Sequence, residues 1–236
     1  ENPAESVRAS SIATFVPKDR ALSPLEIRLV IQYLESVATY PTIRLALRLI
    51  LLTLVRKSEL IQATWDEVNF ERATWTIPKQ RMKGRNPHVV YLSSQALDIF
   101  VTLHACAAGS RFVFPSRYDA ERCMSNATLN RVTQLVVQAA KTKGLPLQPF
   151  TVHDLRRTGS TLLNEIGFNR DWIEKCLAHE DGRSSRSVYN KAEYAEQRRH
   201  MLQEWANLVE AWGGGQTYVP KLVPRDVVVP ALSAIG

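Results

Sequence analysis

One stretch governs what this chain can fold into: "TIRLALRLILLTLV", residues 42–55. At helical spacing it is apolar on nearly every side, so it does not suit a surface helix with one face in water. It carries Arg44 and Arg48 and is too short to cross a bilayer, and no signal-peptide pattern precedes it. What remains is a buried helix, roughly Thr42 to Val55, in the middle of a domain whose other elements surround it. With 236 residues, 45% of them hydrophobic, the chain is long enough to supply those elements as one large domain or two small ones. The helix is expected to end at Arg56.

The flanking pattern says what surrounds it. In "SPLEIRLVIQYLESV", Ser23 is a candidate N-cap, Pro24 sits at the first helical position and Glu26 closes a capping box. Ile27, Val30, Ile31, Leu34 and Val37 then recur at helical spacing. After a short turn through "SELIQA" the period changes to alternation: "DEVNF", "TWTIP" and "HVVYL" predict a small three-stranded antiparallel sheet. Helices resume around Ser94–Ala107, Asn126–Lys143, Thr151–Ile166 and Asn169–Ala178, with a long last one from about Ser185 to Trp212. The expected fold is mainly α with that one small sheet. Gly213, Gly214 and Gly215 end the last helix and open a tail containing Pro220, Pro224 and Pro230, which is either disordered or an arm docked on another molecule.

Thirty Lys and Arg against 23 Asp and Glu give a net charge of +7, a balance that favours polyanionic partners. Cys106, Cys123 and Cys176 form no C-x-x-C pair, which points away from a disulfide scaffold or a zinc ribbon and toward a reducing compartment. Arg56 follows a buried helix, where an unpaired guanidinium is costly, and Glu59 is placed to orient it. Arg72, Lys79, Arg81, Lys83 and Arg85 lie between Arg72 and Gln95 without one acidic residue. That makes a basic hairpin fit to contact phosphates, although a solvated turn has the same composition. In "TVHDLRRTGS", Thr151 and Asp154 have capping-box spacing, so His153 falls in the first helical turn. Leu155, Leu162 and Ile166 project to one face, with His153, Arg156 and Ser160 on another, away from the core stripe.

Taken in order, "LVRKSEL", Trp65, Lys83, "HDLRR", "LAHE" at 177–180 and Tyr189 in "SVYNKAEY" resemble the catalytic domain of tyrosine recombinases, in particular phage and genomic-island integrases. The resemblance covers roughly residues 20 to 210. It implies that Arg56 is the first arginine, Lys83 the hairpin lysine, His153 and Arg156 the H-x-x-R pair, His179 the later histidine and Tyr189 the nucleophile. Ala178 stands where glycine is commoner, and ten positions separate His179 from Tyr189, one more than is most usual; Tyr194 is the competing tyrosine.

The implied activity is site-specific recombination: strand cleavage and rejoining through a 3′-phosphotyrosine, with no metal or other cofactor. A metal cluster drawn from His153, Asp154, His179 and Glu180 lacks an H-E-x-x-H helix and a dense carboxylate set. The implied partners are double-stranded attachment sites, three further copies in a tetramer on DNA, and accessory DNA-bending or excision proteins. The implied setting is the bacterial cytoplasm. Residues 1–20 are then a linker or arm from a preceding DNA-binding part, in keeping with a chain that opens at Glu1 without methionine; residues 21–212 are the catalytic domain, and 213–236 a tail that is either exchanged between protomers or mobile. Two other classes stay open: a DNA-binding protein of this fold without catalysis, and DNA relaxation of the type IB topoisomerase kind.

Overall fold

A computed structural model of the chain describes residues 20–82, 86–178 and 193–222. Among these the expected architecture is present: helices α1 (Pro24–Ser36), α2 (Pro41–Thr53), α3 (Lys57–Ile61), α4 (Ser94–Ala105), α5 (Asn126–Thr142), α6 (Val152–Ile166), α7 (Arg170–Cys176) and α8 (Ala195–Gly213), with strands β1 (Val68–Asn69), β2 (Thr74–Ile77) and β3 (His88–Tyr91). The strands form one antiparallel sheet in the order β1-β2-β3, with Trp75 opposite both Val68 and Val90, and Ile77 opposite His88. Trp75, Ile77 and Val90 are buried, and Trp75 lies 5.8 Å from the Phe100 ring of α4. None of the described helices is long and apolar enough to cross a membrane.

As its composition requires, α2 is central: it packs against α1, α4, α5, α6 and α8. Central placement creates a difficulty at its C-terminus, where the last carbonyls of a helix have no partner within the helix and here no access to water. Side chains from elsewhere in the chain supply the missing donors. Trp205 of α8 donates its indole N–H to Leu51 O at 2.7 Å, and Arg156 of α6 donates to Leu54 O. Leu54 itself closes the helix in the left-handed region, at φ 59°.

The α6 start is the capping box that the sequence spells out: Thr151 N–H donates to Asp154 Oδ2 at 2.8 Å, and Asp154 N–H to Thr151 Oγ1 at 3.3 Å. Its buried face differs from the projection, however. Val152, Leu155, Arg156, Gly159 and Leu163 are buried, whereas Leu162 and Ile166 are only half-buried. Arg156, expected away from the core, is 3% exposed. The helix has turned toward α2 because Gly159 lets it: a Cβ there would sit 2.2 Å from Leu54 Cδ2.

The last helix starts later than its composition implies. Residues 185–192 lie outside the described residues, and Tyr194 caps α8 at φ 48°, a conformation that no helix runs through. Beyond Gly215 the chain turns back along α8. There the buried Glu204 accepts from Tyr218 Oη at 3.0 Å and Lys221 N–H at 2.7 Å, while His200 donates to Lys221 O. The part of the tail up to residue 222 is therefore docked on its own chain.

Candidate active site

The chain leaves α2 through Leu54 and Val55 and delivers Arg56 to the N-cap of α3. Glu59, one turn on and 3% exposed, accepts from the Arg56 main-chain N–H at 2.7 Å and from its guanidinium at 2.7 Å. Burying a carboxylate costs about as much as such a pair returns. The pair therefore acts chiefly to fix the rotamer. A second guanidinium nitrogen lies 3.5 Å from Ala178 O, just past α7. Part of Arg56 stays exposed.

Arg156 arrives from the opposite side, on the second turn of α6. Its two terminal nitrogens donate to Leu54 O at the end of α2 and to Leu177 O at the end of α7, so it cross-links the negative ends of two helices. Burial, and then the nearby Arg56, lower its pKa to about 10, which still leaves it charged at neutral pH. Two like charges held this close repel one another, and an anion between them would relieve the repulsion. The two arginines border one cleft of about 350 Å³, lined also by Lys57, Ser58, Asn130 and His153.

His153 is exposed in the first turn of α6, as expected. Burial of its ring, followed by Arg157 and Arg156, holds its pKa below the ordinary 6.5, so it is mostly neutral at pH 7 and able to take a proton. Lys57 was not singled out by the sequence, although it follows Arg56 directly. Its ammonium donates to Asn126 O at 3.1 Å and to Asn130 Oδ1 at 3.2 Å, fastening the first turn of α5 to the rim of the cleft. The chemistry open to the cleft is that of a phosphate clamp: two planar forks, one ammonium and one neutral imidazole.

The other expected residues fall elsewhere. Arg72 and Lys79 are exposed around the sheet. Arg81 turns inward instead, donating to Glu59 O at 3.0 Å and pairing with the Glu67 carboxylate, so it supports the Arg56–Glu59 turn from behind. Lys83, Arg85, His179 and Tyr189 lie outside the described residues. Arg198, 2% exposed, and His88, 7% exposed, are buried next to the arginines and were missed.

Ala178 takes φ 45°, a left-handed conformation that costs an L-residue about 1–2 kcal/mol. Ala178→Gly relieves that strain against a loss of about 0.4–1 kcal/mol in unfolded-state entropy. A net gain of about 0.5–1 kcal/mol is expected, read as a higher urea midpoint at unchanged slope; a lower midpoint would rule the strain out.

The family model described as the phage integrase family matches residues 20–196. Prophage integrase IntA of Escherichia coli (strain K12) is 41% identical over 172 residues, 73% of this chain and 40% of that protein. The integrase of Shigella phage Sf6 is 36% identical over 168 residues, 70% of this chain and 41% of that protein. The chain thus spans about two-fifths of the length of these relatives. Among solved structures, the Tn1549 transposon integrase in complex with circular intermediate DNA aligns at a TM-score of 0.59 and 16% identity, over 83% of this chain and 69% of that one. XerA recombinase aligns at 0.54 and 18% identity, over 79% of this chain and 65% of that one. These two share the fold.

Proposed function

Because the chain belongs to the phage integrase family, we propose that it is the catalytic part of a site-specific DNA recombinase, with residues 21–212 as the catalytic domain. One observation carries the reading: Arg56 and Arg156, a hundred positions apart, border one cleft with His153, and both are tied to the end of α7, from which the chain continues into the segment holding His179 and Tyr189.

In this reading Tyr189 Oη attacks the scissile phosphorus and the P–O5′ bond breaks, leaving a 3′-phosphotyrosine and a free 5′ hydroxyl. The phenol, with an ordinary pKa near 10, is a tolerable leaving group when the 5′ hydroxyl of another strand reverses the step. That keeps the bond energy without an external source. The pentavalent transition state carries extra negative charge on the non-bridging oxygens, where the forks of Arg56 and Arg156 and an N–H of His179 are directed. Lys83 protonates the departing 5′ oxygen and His153 helps to take the proton from Tyr189. The scheme needs no metal. Arg72, Lys79 and Arg85 contact the DNA backbone, while Arg81 contributes through Glu67 and the Arg56 turn. The partners are double-stranded attachment sites, other copies in a tetramer on that DNA, and accessory bending or excision proteins, in the cytoplasm.

The test is a nicked suicide substrate carrying the attachment core, at low salt and with chelator, read by denaturing gel and peptide mapping. An adduct at Tyr189, absent from Tyr189→Phe, is expected. An adduct at Tyr194 would move the nucleophile, and no adduct on DNA that is demonstrably bound would leave a binding protein without catalysis.

A further inference from the structure

Arg56 and Lys57 are adjacent in sequence, at the N-cap and first position of α3, yet different walls of the cleft hold them. Arg56 reaches Ala178 O just past α7, and Arg156 reaches Leu177 O at the end of the same helix. Lys57 is bonded instead to the start of α5, at 3.1 Å to Asn126 O and 3.2 Å to Asn130 Oδ1. The cleft of about 350 Å³ thus has two cationic poles: both arginines at α7, and Lys57 at α5 with the exposed Ser58 and Asn130 beside it. That volume is about a dozen times the roughly 30 Å³ share of one liquid water, more than a single phosphate group displaces. The chemistry above uses only the first pole.

What the second pole has left to offer is donors. An ammonium carries three N–H groups and no acceptor. Two of them are taken by Asn126 O and Asn130 Oδ1, which leaves one. The same bond fixes which way round the Asn130 amide lies, so its unused end is the NH2 group. Fastening α3 to α5 calls for a donor but not for a charge. The charge lies at the positive end of the α5 dipole, in one cleft with two guanidiniums, and no carboxylate among the described residues pairs with it. An anion in the cleft offsets all of these repulsions at once.

We propose that Lys57 and the Asn130 amide bind a second phosphate of the DNA backbone, next to the scissile one on the cleaved strand, and so set the register in which that strand crosses the cleft. The proposal rests on the recombinase reading for which phosphate is scissile; the binding of a phosphate at the α5 pole does not depend on it.

The test measures binding of the whole chain to a duplex carrying the attachment core, by fluorescence anisotropy against salt, with single uncharged methylphosphonates placed in turn along the cleaved strand. In Lys57→Met, which keeps most of the stem, affinity at low salt should fall about 10-fold. The slope of log K against log salt should become shallower by about 0.9, one phosphate's worth. A methylphosphonate at one position beside the scissile phosphate should cost the parent about 10-fold and the Met variant about twofold or less, while the other positions cost both the same. Asn130→Ala breaks the same fastening without removing a charge, so it should lose about threefold at unchanged slope. Lys57→Arg should restore the slope.

Equal losses in Lys57→Met and Asn130→Ala at unchanged slope would mean that the lysine only fastens α5, and would overturn the proposal. So would a Met variant that keeps the parent's sensitivity at every position, or a parent that binds no DNA at low salt. If the parent shows the paired response yet forms no adduct on the suicide substrate, the recombinase reading fails and the phosphate site stands.

Discussion

Arg156→Ala is expected to abolish detectable strand cleavage and to cost the domain about 3–5 kcal/mol of stability, a large share of the roughly 5–15 kcal/mol reserve of a typical domain. The stability loss follows from position. Arg156 is the donor that reaches Leu54 O at the end of α2 and Leu177 O at the end of α7, both away from water. Each carbonyl left without a partner costs about 1–3 kcal/mol, and the vacated stem leaves a cavity beside Gly159 and Leu54. The loss of cleavage has a separate cause, the missing fork on the phosphate. Arg156→Lys separates the two. It keeps the charge and can satisfy one carbonyl at a time, so about 1–2 kcal/mol should go, while cleavage falls on the order of 100- to 1,000-fold. Urea denaturation reads the first quantity, and single-turnover suicide cleavage in the cold, where both variants are folded, reads the second. A lysine variant cleaving within fivefold of the parent would show that charge alone suffices.

Trp205→Ala should cost more than any other single truncation in the core, about 4–6 kcal/mol. The side chain is fully buried against α2, makes an edge contact with Trp212 at 5.9 Å and supplies the only hydrogen bond described for Leu51 O from outside its helix. Trp205→Phe keeps most of the ring and drops the N–H. It should lose about 1–3 kcal/mol, the cost of leaving a buried carbonyl unmade. Chemical denaturation of the pair apportions the effect, and equal losses in the two variants would mean that packing contributes little. Because Trp205 does not line the cleft, the folded fraction of the Phe variant should cleave at the parent's rate.

What could be read from the sequence was local. Ser23 with Glu26 and Thr151 with Asp154 announce two helix starts, because a capping box is complete within four residues. The strands of the sheet show as alternation, and α2 as an uninterrupted apolar run. Pairing Arg56 with Glu59 was legible for the same reason, one turn of helix being a local distance. Properties fixed by distant partners were not. Arg156 projects onto a polar face of α6 and is buried only because Gly159 brings that helix onto Leu54. Arg81 reads as one more charge in a basic hairpin and is drawn in by Glu67. His88 and Arg198 look like ordinary strand and helix residues until α7 is packed against them. Tyr194 carries no glycine-like signal, so nothing local stops the last helix from being extended back through it.

The way α2 is finished also orders events during synthesis. Its end carbonyls wait for donors that lie 102 positions later at Arg156, counted from Leu54, and 154 positions later at Trp205, counted from Leu51. At the ordinary pace of translation the second interval lasts roughly 8–30 s. Over that time the most apolar segment of the chain is made but cannot be sealed. The ribosome must therefore read through Trp205 before this domain can fold for good, and a message truncated before that codon would yield a sticky, protease-sensitive product in place of a smaller working domain.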